Sequence, residues 1–290
     1  MSAKRLDGKA CAAAVEDELL ERIKSLQSNE IVSHLAVIIV GNDPASHVYV
    51  NSKVRTCKRL GIRSTHLELP EDTSEEVLKK HILEMNARED LHGILIQSPL
   101  PPHVDEEALT DLIDPSKDVD GFHPSNLGRI VQGRLDGMIP CTPAGVMRML
   151  KWAEIDLSGK KAVVIGRSFN VGMTQALLLA AKGADATVTI VHSRTQNPQE
   201  ECKDADLVVA AVGRPEMVQS NWIKPGAVVV DVGINRVDDA TRERGWRLAG
   251  DVSADVAEVA SWLSPVPGGV GPMTIAMLME NTVRSAESRM

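Results

Sequence analysis

The sequence predicts an α/β protein of two domains, each with a mostly parallel sheet. Three observations carry that prediction. Short apolar runs recur along the chain, among them Leu35–Val40, Ala162–Ile165 and Leu207–Ala211, and they are apolar throughout, as strands covered on both faces are. Stretches of helical length separate them, which is the alternation that gives parallel pairing. A glycine-rich, aperiodic stretch at 128–143, GRIVQGRLDGMIPCTP, interrupts the alternation and reads as the crossing from one domain to the next.

The first half begins with an amphipathic helix over residues 9–27. A buried strand follows at 35–40, and a helix at 44–60. Asp43 is placed to cap that helix, Pro44 suits its first turn, and Gly61 is its stop. Thr65–Leu69 is a second strand, Ser74–Asn86 a helix and Gly93–Gln97 a third strand. Gln97-Ser98-Pro99-Leu100-Pro101-Pro102 then makes a rigid turn that is not helical. Lys117-Asp118-Val119-Asp120-Gly121-Phe122-His123 reads by composition as a solvated loop.

The second half opens with a helix over 144–153. Lys161–Ile165 is a strand, Gly166–Gly172 a turn bounded by glycines, Met173–Lys182 a helix and Ala186–Val191 the next strand. A turn so placed, at a helix N-terminus after a first strand, suits the pyrophosphate of a dinucleotide, although it is not the usual GxGxxG. Strands at 206–211 and 227–234 follow, then a helix around 254–261. Ser264–Thr274, SPVPGGVGPMT, is expected to be neither helix nor ordinary strand. Its glycines let a backbone come close to a flat ligand. A methionine-rich helix over 274–285 is read as packing. The expected domains are therefore 1–138 and 139–272, with residues 273–290 packing back on the first.

Composition excludes several classes. The chain has 290 residues, 43% hydrophobic and 25% charged, as soluble globular proteins do. A net charge of −8 argues against a general nucleic-acid or anionic-membrane surface. Cys11, Cys57, Cys141 and Cys202 show neither metal spacing nor a disulfide pattern, which suits a reducing cytoplasm. No signal core or run of transmembrane length is visible. No metal site is expected.

Two places carry candidate chemistry. Tyr49, the only tyrosine, and Lys53 lie four apart on one face of the 44–60 helix. That helix leaves a strand's carboxyl end, where α/β proteins bind ligands. Taken alone, the pair also reads as a surface lysine beside a half-buried tyrosine. Gln97 would point toward it if the two strands are neighbours. The second place is the end of the 186–191 strand. A unit specific for NAD has an acid there to hold the ribose 2′-hydroxyl, but this chain has His192-Ser193-Arg194-Thr195. A hydroxyl and a guanidinium, joined by Arg167, suit a 2′-phosphate and hence NADP.

Several segments together resemble one family, the bifunctional methylenetetrahydrofolate dehydrogenase/cyclohydrolases. They are VGNDPASHVYVNSK, QSPLPP, KDVDGFHPSNLGR, PCTPAGV, GRSFNVG, TVTIVHSRT and SPVPGGVGPMT, in the family's order from about residue 36 to 282. The resemblance implies two α/β domains flanking a cleft, with the folate site on the first and a Rossmann-like NADP-binding domain as the second. It implies oxidation of 5,10-methylenetetrahydrofolate by NADP, then hydrolysis of the methenyl product to 10-formyltetrahydrofolate, in one-carbon metabolism and purine biosynthesis, by a cytoplasmic homodimer.

The resemblance also implies residue roles. Lys53 serves the hydrolysis, Tyr49 shapes the same site and Gln97 contacts the lysine. Asp120 holds the pterin, and Pro267, Gly268 and Gly269 border folate and cofactor. Arg167 and Ser193 hold the 2′-phosphate, with Gly166, Ser168, Gly172, Arg194 and Ile234 completing the cofactor site. The chemistry agrees: an ionised aspartate is acceptor-only and suits aminopyrimidine N–H groups. A lysine amine gives up its proton more readily beside an organic cation. In one respect the chain departs from the family, which commonly has a proline after GRSxxVG where this chain has Met173. Tyr-x-x-x-Lys also occurs in short-chain dehydrogenases, but there it follows an N-terminal glycine-rich loop, and here it precedes the loop by more than a hundred residues.

Overall fold

In the computed structural model, which describes residues 2–290, the chain opens with a two-residue strand, β1 (Lys4–Arg5), and a long helix, α1 (Gly8–Ser28). Strand β2 (His34–Val40) follows, and all seven of its residues are buried. Helix α2 (Pro44–Leu60) leaves it through the turn that the sequence marks. The Asp43 carboxylate accepts the Ser46 backbone N–H at 2.7 Å, Pro44 takes the first turn, and Gly61 ends the helix at φ 75°. That conformation is left-handed, where glycine avoids the Cβ penalty. Next come β3 (Arg63–Leu69), α3 (Glu75–Asn86) and β4 (Gly93–Ile96). The three strands pair in parallel in the order β3-β2-β4. β2 is central, hence its uniform burial, whereas β3 has one free edge and buries none of its residues fully. Leu78, Ile82 and Met85 of α3 close one core over Ile38, Ile94 and Ile96. Each such side chain contributes about 1.5–3 kcal/mol on burial.

Two short helices follow, α4 (Glu106–Thr110) and α5 (Pro124–Val131). Between them Lys117 is buried, and its Nζ donates to the Met85, Asn86 and Arg88 carbonyls at 3.1, 2.6 and 2.6 Å. The three ammonium protons thus tie together carbonyls at and just past the end of α3. This lysine of the KDVDGFH loop is structural.

Helix α6 (Cys141–Trp152) leads to β5 (Lys161–Ile165). A π-helical turn at Phe169–Met173 precedes α7 (Thr174–Ala180). Then come β6 (Thr187–Val191), α8 (Pro198–Cys202), β7 (Leu207–Ala210), β8 (Val228–Asp231), β9 (Asn235–Asp238), β10 (Trp246–Ala249), β11 (Trp262–Leu263) and α9 (Val270–Glu287). The six-stranded sheet runs β1-β11-β8-β7-β5-β6, every neighbour parallel. β9 and β10 form a separate antiparallel hairpin.

The chain divides into two compact units. One takes the chain up to Ala13 with Thr142–Thr274, and the other Ala14–Cys141 with Ile275–Met290. The second is knit to its C-terminal helix by buried and half-buried polar contacts. Asn281 Nδ2 donates to the Val119 and Ile139 carbonyls at 2.8 and 3.0 Å, and Arg22 grips Glu287 through two hydrogen bonds of 2.8 and 2.7 Å.

Four expectations differ from the structure. Residues 2–13 go with the unit of the six-stranded sheet, not with residues 14–138, because β1 pairs with β11. Two residues are too few to show periodicity. Part of the presumed crossing at 128–143 is helical, in α5 and at the start of α6. Val270–Met273 belongs to α9, since Pro272 lies in the first turn, where a missing N–H costs nothing. The helix expected around 254–261 is a 3₁₀ turn at Ala254–Glu258. The β9–β10 hairpin had no counterpart among the expected elements.

Candidate functional site

Strand β2 delivers α2, and the neighbouring β4 delivers Gln97 one residue past its end. Parallel pairing places Ile38 opposite Ile96, so Gln97 comes up beside the start of α2. Lys53 Nζ donates to Gln97 Oε1 at 3.0 Å. The Gln97 amide is itself held, because its Nε2 donates to the Ser98 carbonyl at 2.7 Å. The lysine therefore meets a fixed acceptor. Tyr49 shares its helix face one turn away and stays 38% exposed, with its phenol pushed up by burial.

The two aspartates of the KDVDGFH loop have different work. Asp118 is buried and accepts the Gly121 and His123 backbone N–H groups at 3.1 and 2.8 Å, and Asn126 Nδ2 at 2.8 Å. It builds the loop. Among the described residues, the Cys141 thiol is the side-chain donor to Asp120, which leaves acceptor capacity for a ligand. Burial pushes its carboxyl up to about 6. The Lys53 ammonium pulls it down, and the Asp118 and Glu106 carboxylates add to the rise. Cys141 donates also to the Val119 carbonyl at 3.2 Å, and its thiol is pushed well up by burial and by Asp120. Such a thiol is a packing and donor group, not a nucleophile. Lys53, Gln97 and Asp120, chosen from the sequence, thus fall into one cluster. Glu106 and Cys141 were missed. Ser98 donates to Glu106 on α4, yet nothing in EEALT sets that acid apart from its neighbours.

The other candidate residues lie in the nucleotide-type unit. β5 lies inside its sheet, with β6 on one side and β7 on the other. Strand order reverses at β5, where open α/β sheets bind ligands. A cavity of ≈ 360 Å³ opens at the carboxyl ends of these three strands, lined among others by Gly166, Arg167, His192, Ser193, Thr195 and Arg214. No acid is among its lining residues. Gly166 has φ 125°, and a Cβ there would come within 2.2 Å of the Ala211 carbonyl oxygen, so the turn can be this close only with glycine. The His192–Thr195 turn is tied by its own bonds: His192 N–H to Thr195 Oγ1 at 3.0 Å and Arg194 N–H to His192 Nδ1 at 3.1 Å. Ser168 and Gly172 belong to the adjoining turn, where Gly172 N–H reaches Ser168 Oγ at 3.5 Å. Arg194 and Ile234 are exposed and are not among the residues lining the cavity. Met173 is 42% exposed and its turn is π-helical.

Pro267, Gly268 and Gly269 lie in the same unit as this cavity. Gly268 has φ 106°, and a Cβ on Gly8 would come within 1.7 Å of the Gly269 carbonyl oxygen. Behind the cavity, two buried aspartates organise three turns. Asp231 accepts the Gly233, Asp251 and Val252 backbone N–H groups at 3.0, 2.8 and 3.0 Å. Asp251 accepts the Val212 and Gly213 N–H groups at 2.7 and 3.0 Å, and Asn235 Nδ2 at 3.0 Å. Burial pushes Asp231 up to about 7. A hollow of ≈ 570 Å³ elsewhere is lined by α3 and the residue after it alone and carries none of this chemistry. Among the described residues no group of three His, Cys, Asp or Glu could hold a metal, and no helix is long and apolar enough to cross a membrane.

Comparison with known proteins bears on both places. The pattern of the tetrahydrofolate dehydrogenase/cyclohydrolase catalytic domain matches residues 6–120, and that of the same family's NAD(P)-binding domain matches residues 140–290. The bifunctional protein FolD of Acetivibrio thermocellus is 52% identical over 288 residues, 99% of this chain and 98% of that protein. Among solved structures, the bifunctional FolD methylenetetrahydrofolate dehydrogenase/cyclohydrolase of Campylobacter jejuni is 46% identical, with a TM-score of 0.95 and 100% of both chains covered. The Trypanosoma brucei methylenetetrahydrofolate dehydrogenase-cyclohydrolase, complexed with NADP and an inhibitor, is 38% identical with a TM-score of 0.94, covering 100% of this chain and 99% of that one.

Proposed function

The chain belongs to the tetrahydrofolate dehydrogenase/cyclohydrolase family, and on that premise we propose how its residues divide the two activities. It is a bifunctional enzyme that oxidises 5,10-methylenetetrahydrofolate with NADP and hydrolyses the 5,10-methenyl product to 10-formyltetrahydrofolate. NADP supplies the hydride acceptor when bound. The donor set of the β5 cavity fits it, with guanidinium and hydroxyl groups, no acid, and a glycine turn that only glycine can make.

Oxidation takes a hydride from the folate methylene carbon and leaves a methenyl cation. Hydrolysis adds water to that carbon, breaks one carbon–nitrogen bond of the ring and releases a proton. In our reading Lys53 handles that proton. Its 3.0 Å bond to Gln97 Oε1 carries the proposal. A neutral amine can still donate one N–H to the fixed amide oxygen, and its lone pair then faces the reaction. Asp120 accepts the pterin's aminopyrimidine N–H groups, and Tyr49 forms the wall beside it. Because burial lifts Asp120 to about 6, the ionised acceptor dominates above that pH and folate binding weakens below it. Arg167 and Ser193 hold the 2′-phosphate.

The finer reading assigns the folate site to residues 14–138 with the C-terminal helix, and NADP to the unit with the six-stranded sheet. It also makes the enzyme a cytoplasmic homodimer that feeds purine biosynthesis. The resemblance supports these last points.

The test is calorimetry on Asp120→Ala. Loss of a charge-assisted hydrogen bond costs about 1.5–3 kcal/mol, so folate affinity should fall roughly 10- to 150-fold while NADP affinity holds. Unchanged folate affinity would remove Asp120 from the site.

A further inference from the structure

We propose that Arg214 is a determinant of cofactor choice, a second guanidinium for the 2′-phosphate. This rests on the reading of the β5 cavity as the NADP pocket. Arg167 stands two residues past the end of β5, and Arg214 four past the end of β7. These strands are neighbours, with Ile165 opposite Ala210. Both arginines line the one cavity, together with Ser193 and Thr195. No described carboxylate forms an ion pair with either. The acid nearest to Arg214 in the chain, Glu216, is engaged by Arg247 Nη2 at 2.8 Å. Arg214 is exposed, so its charge costs little to keep, yet it faces a cavity without a counter-ion.

Its position is not left to a mobile loop. Asp251 is fully buried, and its Oδ2 takes the N–H groups of Val212 and Gly213, the two residues before Arg214. The turn bends at Gly213, whose φ is 64°. His192 Nδ1 accepts the Arg194 N–H at 3.1 Å, which makes Nε2 the donor nitrogen. The cavity is thus lined by two arginines, a histidine, a serine and a threonine. A phosphate dianion satisfies such a set, and a ribose hydroxyl does not.

Arg214→Gln, Arg214→Lys and Arg167→Ala should be titrated with NADP and with NAD by calorimetry, without substrate. Arg214→Gln should weaken NADP roughly tenfold, as loss of an exposed charge-assisted contact does, and leave NAD within a factor of about two. Arg214→Lys should restore part of the NADP affinity. Equal losses with both dinucleotides would place Arg214 on the part they share and overturn the proposal. Loss with Arg167→Ala but none with Arg214→Gln would overturn it while the pocket stands. No change in any variant would show that the phosphate binds elsewhere and would overturn both.

Discussion

Replacing Lys53 with methionine tests the hydrolytic site most directly. The side chain is half-buried and of similar length, and its polar partner among the described residues is Gln97 at 3.0 Å, so the fold should survive. Positioned acid–base groups contribute roughly 10²- to 10⁴-fold in rate. Hydrolysis of methenyl-folate, followed by its loss of absorbance, should fall by that factor, about 2.7–5.4 kcal/mol of barrier. NADP affinity should hold, because Arg167 and Ser193 belong to the other unit. A second readout follows from the electrostatics. The Lys53 ammonium is the main charge that lowers Asp120, so its removal should move the Asp120 titration above about 6, visible by carboxyl NMR. Lys53→Arg separates charge from proton transfer: a guanidinium keeps the cation but cannot shed its proton. It should preserve the Asp120 titration and still fail at hydrolysis. Hydrolysis within about tenfold of wild type in Lys53→Met would refute the assignment. Full activity in Lys53→Arg would mean that only the charge matters.

Two further outcomes concern stability. Asp231 is 3% exposed and is lifted to about 7, against about 3.9 in the unfolded chain. The folded state therefore binds the extra proton, and stability declines as pH rises from about 4 to 7, by on the order of 4 kcal/mol for this group. Asp120 adds a change of the same sign below about 6. Urea midpoints should rise from pH 8 to 5.5, with a slope that Asp231→Asn reduces; a flat profile in the wild type would contradict the burial argument. Glycine substitutions should split by their surroundings. A Cβ on Gly250 would lie 1.7 Å from Asp231 Oδ2, so Gly250→Ala should cost about 1–3 kcal/mol. Gly128, inside α5, has nothing within 4 Å, and Gly128→Ala should raise stability by about 0.5–1 kcal/mol. Thermal melts that rank the two the other way would count against the packing described.

Much of the architecture was legible because it is local. The cap at Asp43, the stop at Gly61 and the buried strands each depend on neighbours in the chain, and the structure repeats them nearly residue for residue. The motifs likewise brought out Lys53, Gln97 and Asp120 before their contacts were visible. What composition could not separate were residues of one type in different surroundings. Asp118 and Asp120 stand two apart in one loop, yet three donors close around the first and one thiol meets the second. Arg194, beside Ser193 in the chain, lies off the lining of the cavity, and Arg214, twenty residues on, lies in it. Likewise β1 was invisible because its only evidence is a partner, β11, more than two hundred residues away. A hydrogen bond or a field depends on distance in space, which only the packing of the sheet decides. Helix caps, turns and apolar runs depend on distance along the chain, and these the sequence alone determined.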